Sequence, residues 1–100
     1  MIRGTTPTHY FRLPFGEEMI QSIEIYYKQG FREVLTKTKQ DCSFDGKTVT
    51  LRLSQEDTLG FKEGELVKIQ VRILTPAGDS IASNIMKATV DELLSDEVIK

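Results

Sequence analysis

One hundred residues is the length of a single domain, with no room for two independent cores. A hydrophobic fraction of 39% is that of a folded globular chain rather than a disordered one. Thirteen Lys and Arg against fifteen Asp and Glu leave a net charge of −2, which argues against a nucleic-acid partner, and the lone Cys42 excludes an internal disulfide and a thiolate zinc site of the four-ligand kind.

The first six residues, Met1–Thr6, read as a polar arm that stays poorly ordered unless a partner holds it. Thr8–Pro14 reads as a strand with Phe11 and Leu13 on one face and Tyr10 and Arg12 on the other. Its bracketing prolines suit a sheet edge, because proline cannot donate to a ladder. Residues 1–20 hold Arg3, Pro7, His9, Arg12 and Pro14 and no continuous apolar stretch, so no signal peptide is expected. No apolar run approaches the ~18 residues of a membrane span. Gly16–Ile20 reads as a turn, with Ile20 packing beneath it.

Ser22–Gln29 is the next predicted strand, with Ile23, Ile25 and Tyr27 on the buried face and Glu24, Tyr26 and Lys28 on the other. Gln29-Gly30 is a tight-turn signal, and Phe31–Lys39 is the expected return strand. The adjacent Val34 and Leu35 leave the buried face of that strand open by one residue, and such a slip inverts every side chain. Asp41–Phe44 reads as a short strand closed by Asp45-Gly46, a type I′ turn dipeptide, before Lys47–Leu53, where Val49, Leu51 and Leu53 point inward. Ser54 with Asp57 three positions on has the pattern of a capping box and predicts a helical turn over Gln55–Leu59. Gly60 ends the turn and Phe61 plugs the core below it.

Glu65–Val90 reads as a long hairpin. Val67, Ile69, Val71 and Ile73 alternate with Lys68, Gln70 and Arg72, and Thr75–Asp79 supplies turn chemistry. In the returning strand, Ala82, Met86, Ala88 and Val90 share one register and Ile81 and Ile85 the other, so a β-bulge is expected near Ser83-Asn84. Asp91–Lys100 is an acidic-apolar tail, either a short helix presenting Leu93, Leu94 and Val98 or a loose segment. The expected fold is a single all-β domain, an immunoglobulin-like sandwich of six to seven antiparallel strands over residues 7–90, with one short helical turn at 55–59. The arm 1–6 and the tail 91–100 flank it. A small β-barrel is the alternative closure.

No catalytic, cofactor or metal constellation is visible. His9, the only histidine, is expected to be a strand residue exposed to solvent or packed on Tyr10, and Cys42 a small residue filling a gap in the core. Pairing them as a nucleophile and base needs a proximity that the sequence does not supply. Asp41 and Asp45 are too few carboxylates for an EF-hand-like calcium loop, and the scattered glycines form no phosphate-binding loop. Lys28, Arg32, Lys37 and Lys39 are the one local basic cluster, read as a solvated face. These patterns point to a binding or assembly module rather than an enzyme. Neither nucleic acid, membrane nor cofactor is expected as a partner.

The order of several segments carries a resemblance. Met1–His9 leads into Phe11-x-Leu13-Pro14-Phe15, followed by Ile23–Tyr27, Asp41-Cys42, Leu53–Thr58, Gln70–Thr75, Ala82-Ser83-Asn84 and Asp96-Glu97-Val98. Together they resemble a family of short proteins encoded in bacteriophages and prophages of Gram-positive bacteria, among the genes for virion morphogenesis. The stretch Val67–Val90 is also similar to the sandwich domains of phage baseplate and tail proteins. The resemblance implies a virion structural or assembly protein, present in the bacterial host cytoplasm during assembly and either confined to that stage or carried into the finished virion. Its partners would be a second copy or other virion proteins. Ile2, Tyr10, Arg12, Tyr26, Leu93, Leu94 and Val98 are the candidate contact residues. The alternative is a ligand- or carbohydrate-binding sandwich module of an adhesion apparatus, with Tyr10, Tyr26 and Phe15 as its aromatic candidates.

Overall fold

The computed structural model describes all residues, Met1–Lys100. The chain forms β1 (Thr8–Arg12), β2 (Ser22–Gln29), β3 (Arg32–Thr38), β4 (Cys42–Asp45), β5 (Thr48–Arg52), helix α1 (Gln55–Leu59), β6 (Val67–Leu74), β7 (Ser80–Ala82) and β8 (Met86–Ala88), with 3-10 turns at Glu17–Met19 and Lys39–Asp41. All strand pairings are antiparallel and fall into two sheets. One is ordered β1-β5-β4; the other is ordered β3-β2-β6, with β7 and β8 both paired to the far side of β6. No ladder joins the two sheets, so the fold is a sandwich and the barrel alternative is set aside.

The strand order is that of an immunoglobulin-like domain. With β1 to β6 taken as strands B, C, C′, D, E and F, and β7/β8 together as G, the sheets read B-E-D and C′-C-F-G. The eight segments thus occupy seven strand positions. Strand A, which would pair with the free side of β1, has no counterpart among them.

The inner faces follow the period-2 alternation. Ile23, Ile25 and Tyr27 from β2 and Val67, Ile69, Val71 and Ile73 from β6 meet Phe11 of β1, Val49 and Leu51 of β5, and Leu53 just beyond it. Full burial of each such side chain contributes about 1.5–3 kcal/mol. Ile20, Phe61 and Val90 close the gaps between elements, Ile20 directly after the 3-10 turn at Glu17–Met19. The cap of α1 forms in both directions: Ser54 Oγ accepts from the Asp57 N–H at 3.0 Å and the Asp57 carboxylate accepts from the Ser54 N–H at 2.9 Å.

Two bulges resolve the irregular strands. Tyr27 pairs with Leu35 but Lys28 pairs with Glu33, so Val34 is an extra residue, and both Val34 and Leu35 pack against the core. In the last strand, Arg72 faces Ala82 and Ile69 faces Met86, so Ser83–Ile85 oppose only Gln70 and Val71. The bulge lies where the alternation breaks. Ser83 secures it, its hydroxyl accepting from the Val71 N–H at 3.0 Å and its N–H donating to the Val71 carbonyl at 2.8 Å.

The turn at Asp45-Gly46 differs from expectation. Asp45 pairs with Thr48, so Gly46 and Lys47 are the central residues, and only Gly46 has a positive φ, 58°. That is the type II′ pattern, with glycine first, rather than type I′, which needs a positive φ at both positions. Asp91–Lys100 forms no helix. It lies extended beside the N-terminal arm, its backbone bonding outside itself: Asp91 to Met1 and Arg3, and Ile99 to the Gln55 side chain.

Candidate functional site

The candidate contact residues separate into three places. Tyr10 and Arg12 lie on the outer face of β1, with Tyr10 70% exposed. Tyr26 lies on the outer face of β2, in the other sheet, and donates a hydrogen bond to the Glu24 carboxylate, which raises its hydroxyl pKa. Since the two sheets turn their outer faces in opposite directions, Tyr10 and Tyr26 do not form a joint aromatic platform.

Ile2, Leu93, Leu94 and Val98 gather at the third place, where the arm meets the tail. The Met1 ammonium donates to the Thr89 carbonyl at 2.9 Å, and Ile2 forms a parallel bridge with Asp91. Arg3 pairs with Asp96 at 2.8 Å and donates to the Leu59 carbonyl at 2.9 Å. Thr58, fully buried in α1, donates to the Thr5 carbonyl at 2.8 Å. The chain turns at Gly4 with φ 73°, and Leu93 Cδ2 lies 2.5 Å from where a β-carbon would stand, so only glycine suits that position. Gln55 grips the far end of the tail, bonding both the N–H and the carbonyl of Ile99. Leu93 and Val98 are half-buried, whereas Leu94 is 95% exposed.

The edge of β1 has a definite polarity. Leu53 N–H donates to the Pro7 carbonyl and Leu13 N–H to the Lys47 carbonyl, so the odd-numbered residues of β1 bond to β5. The backbone groups of Thr8, Tyr10 and Arg12 therefore point to the open side. Beside the end of this edge is a cleft of about 320 Å³ between Leu13–Phe15 and β7, floored by Val71 and Ile73. Ile81 faces inward opposite Ile73, yet it is 41% exposed because no strand covers it. The other edges are blunted. Bulges interrupt β3 and β7/β8, Lys37 turns a charge inward on β3, and β4 is four residues long.

His9 departs from expectation. It shares the inward parity of Phe11, stacks on the Tyr27 ring at 5.7 Å and places Nδ1 2.7 Å from the Tyr27 hydroxyl. It packs on the opposite sheet, not on Tyr10. Cys42 lies in the same cross-strand row, but Leu51 stands between them. Two strand spacings, ~10 Å, separate the backbones, and the Cys42 thiol bonds the Thr38 carbonyl instead. Burial and the neighbouring Asp41 raise the Cys42 pKa, and burial, Cys42 and Asp57 raise that of Tyr27.

The pH response follows from two depressed pKa values. Burial, with the charge of the chain's amino terminus, lowers His9 below its ordinary 6.5. Burial tends to raise Asp57, but the Ser54 N–H and the Lys37 ammonium, 3.0 Å away, outweigh it and hold the carboxyl below 3.8. In both cases the unfolded chain binds the proton more readily, so both contributions fade as pH falls. The His9 contribution is complete above 6.5 and lost below it; the Asp57 contribution is complete above 3.8 and lost beneath that. The parent is expected to fall in melting temperature between pH 7 and pH 5, and a His9→Gln variant to fall less. An equal drop in both proteins would remove His9 from the account.

Sequence reasoning missed the buried polar residues. Gln29, 3% exposed, accepts from the Lys62 N–H at 2.8 Å and donates to the Lys62 carbonyl at 2.8 Å, pinning the loop before β6. The inward parity of Gln29 with Tyr27 was the one available signal. The predicted basic cluster is dispersed: Lys28 points outward, Arg32 bonds Gln29, Lys37 pairs with Asp57, and Lys39 bonds the Ile20 carbonyl. Asp41 caps its own 3-10 turn through Thr38. No helix is long and apolar enough to cross a membrane. No protein-family model, curated protein or solved structure matches the chain.

Proposed function

We propose that the protein is a non-enzymatic structural or assembly subunit of a bacteriophage or prophage particle, acting through protein–protein contacts with its own copies or with other virion proteins. The observation that carries this reading is the vacant strand A position. There the unpaired backbone of Thr8, Tyr10 and Arg12 stands beside a cleft that leaves the inward-facing Ile81 uncovered. An extended segment of a neighbour laid along β1 gains main-chain hydrogen bonds and shields that apolar floor, the usual physics of strand addition. The resemblance of the ordered segments to phage proteins encoded beside virion genes supplies the context.

The test is a Tyr10→Pro/Ile81→Lys variant. Proline at Tyr10 removes an N–H that faces the open side and leaves the β5 ladder intact, and lysine charges the rim of the cleft. Self-association by light scattering, or capture of neighbouring gene products, is expected to weaken at least about tenfold, while stability changes by about 1 kcal/mol or less. Unchanged assembly by the folded variant would remove the β1 edge as the contact.

A further inference from the structure

The outer face of the larger sheet carries a row of three lysines. Lys28 of β2 is the cross-strand partner of Lys68 on β6, and Lys68 is the partner of Lys87 on β8. Directly opposed side chains lie about 4.5–5.5 Å apart at Cβ, where like charges repel. None of the three has a carboxylate within ion-pair distance. Glu33, opposite Lys28 at the end of the row, turns its carboxylate to the Thr36 hydroxyl instead. Beside the row stands Ile85, 54% exposed, lining an open hollow with Lys28 and Lys68. A run of unpaired like charges along one row of a sheet is unfavourable in the isolated chain and favourable under an anionic cover.

The same molecule carries a complementary surface. As it lies against its own arm, the tail exposes Glu92 and Glu97 on either side of Leu94, and neither carboxylate is in an ion pair. Two free acids flanking an exposed leucine match a lysine row flanking an exposed isoleucine in charge and in apolar content.

We propose that the tail surface Glu92–Glu97 of one copy docks on the Lys28–Lys68–Lys87 row of a second copy, with Leu94 against Ile85. The inference rests on the assembly reading above and names a contact distinct from the β1 edge. The two surfaces differ and each copy carries both, so the contact closes reciprocally about a two-fold axis where both pairs can meet, and otherwise repeats head-to-tail into a ring or a filament.

The experiment is charge complementation, read as mass against concentration by light scattering. K28E/K68E/K87E and E92K/E97K are made separately in the full chain, with folding checked by circular dichroism. Each alone is expected to raise the self-dissociation constant at least about tenfold, because like charges then face each other. An equimolar mixture is expected to associate again, since each variant now offers what the other lacks. Parental association is also expected to weaken with salt. If K28E/K68E/K87E associates as the parent does while Tyr10→Pro/Ile81→Lys disperses it, the lysine-row docking is wrong and the assembly reading stands. If the folded mixture stays monomeric while the parent associates, the docking is wrong. A parent that is monomeric at every concentration and captures no neighbouring gene product overturns both.

Discussion

Truncation of Phe61 to alanine is expected to remove about 3–5 kcal/mol of stability, the usual cost of emptying a buried aromatic site. Phe61 is 1% exposed and its ring lies 6.0 Å from that of Tyr27, tilted at 49°. It follows the Gly60 cap of α1, its N–H donating to the Thr58 carbonyl, so the chain leaving the helical turn enters the core at once. The hole cannot collapse easily, because Tyr27 is held on its other side by His9. A domain of this size has about 5–15 kcal/mol in total. The variant should therefore show a large fall in its urea midpoint or fail to fold at 37 °C. A loss under about 1.5 kcal/mol would mean that Phe61 is not a core element.

Replacing Gln29 by leucine is expected to cost about 2–3 kcal/mol, although the substitution adds apolar surface to a buried position. The Gln29 amide bonds the Lys62 N–H, the Lys62 carbonyl and, at 3.3 Å, the Glu65 carbonyl, and it accepts from Arg32. Leucine satisfies none of them and leaves backbone groups of the loop without partners. The loss should appear both in urea denaturation and as faster hydrogen exchange confined to Lys62–Glu65. Gln29→Glu keeps the acceptor and loses the donor, so its effect is expected to fall between those of the parent and of leucine. A neutral leucine variant would mean that water takes over these bonds.

Legibility from sequence differed sharply between elements. Strands β2, β5 and β6 were readable residue by residue, because Ile23-Glu24-Ile25, Val49-Thr50-Leu51 and Val67-Lys68-Ile69 alternate without a break and each has one dry face. The cap at Ser54, the plug at Phe61 and the bulge near Ser83-Asn84 were also readable, since each depends on residues within a few positions. Val34-Leu35 was undecidable, because the bulge that lets both pack inward is set by where β2 pairs, not by β3 itself. The type II′ geometry at Gly46 was likewise hidden: Asp45-Gly46 looks the same whether the glycine takes the first or the second central place.

The candidate surfaces show the same division. Tyr10, Arg12 and Tyr26 were correctly read as outward by parity, but parity does not say that they lie on opposite faces of the molecule. The lysines at 28, 68 and 87 are far apart in the chain, and only the registers of β2, β6 and β8 place them in one row.

The sequence by itself determined the all-β class, the buried alternation, the helical turn at 55–59 and the edge character of β1, because these follow from hydrophobic period, capping and proline chemistry within short windows. The tertiary structure alone decided the sheet order, the vacant strand A position and the lysine row. It alone also decided the polar contacts His9–Tyr27, Lys37–Asp57 and Gln29–Lys62, which join residues 18, 20 and 33 positions apart. The physical reason is that a strand's own residues dictate which of its faces is dry. Its neighbours, its register and the groups left unpaired at its edge depend on the competing pairings of the whole chain.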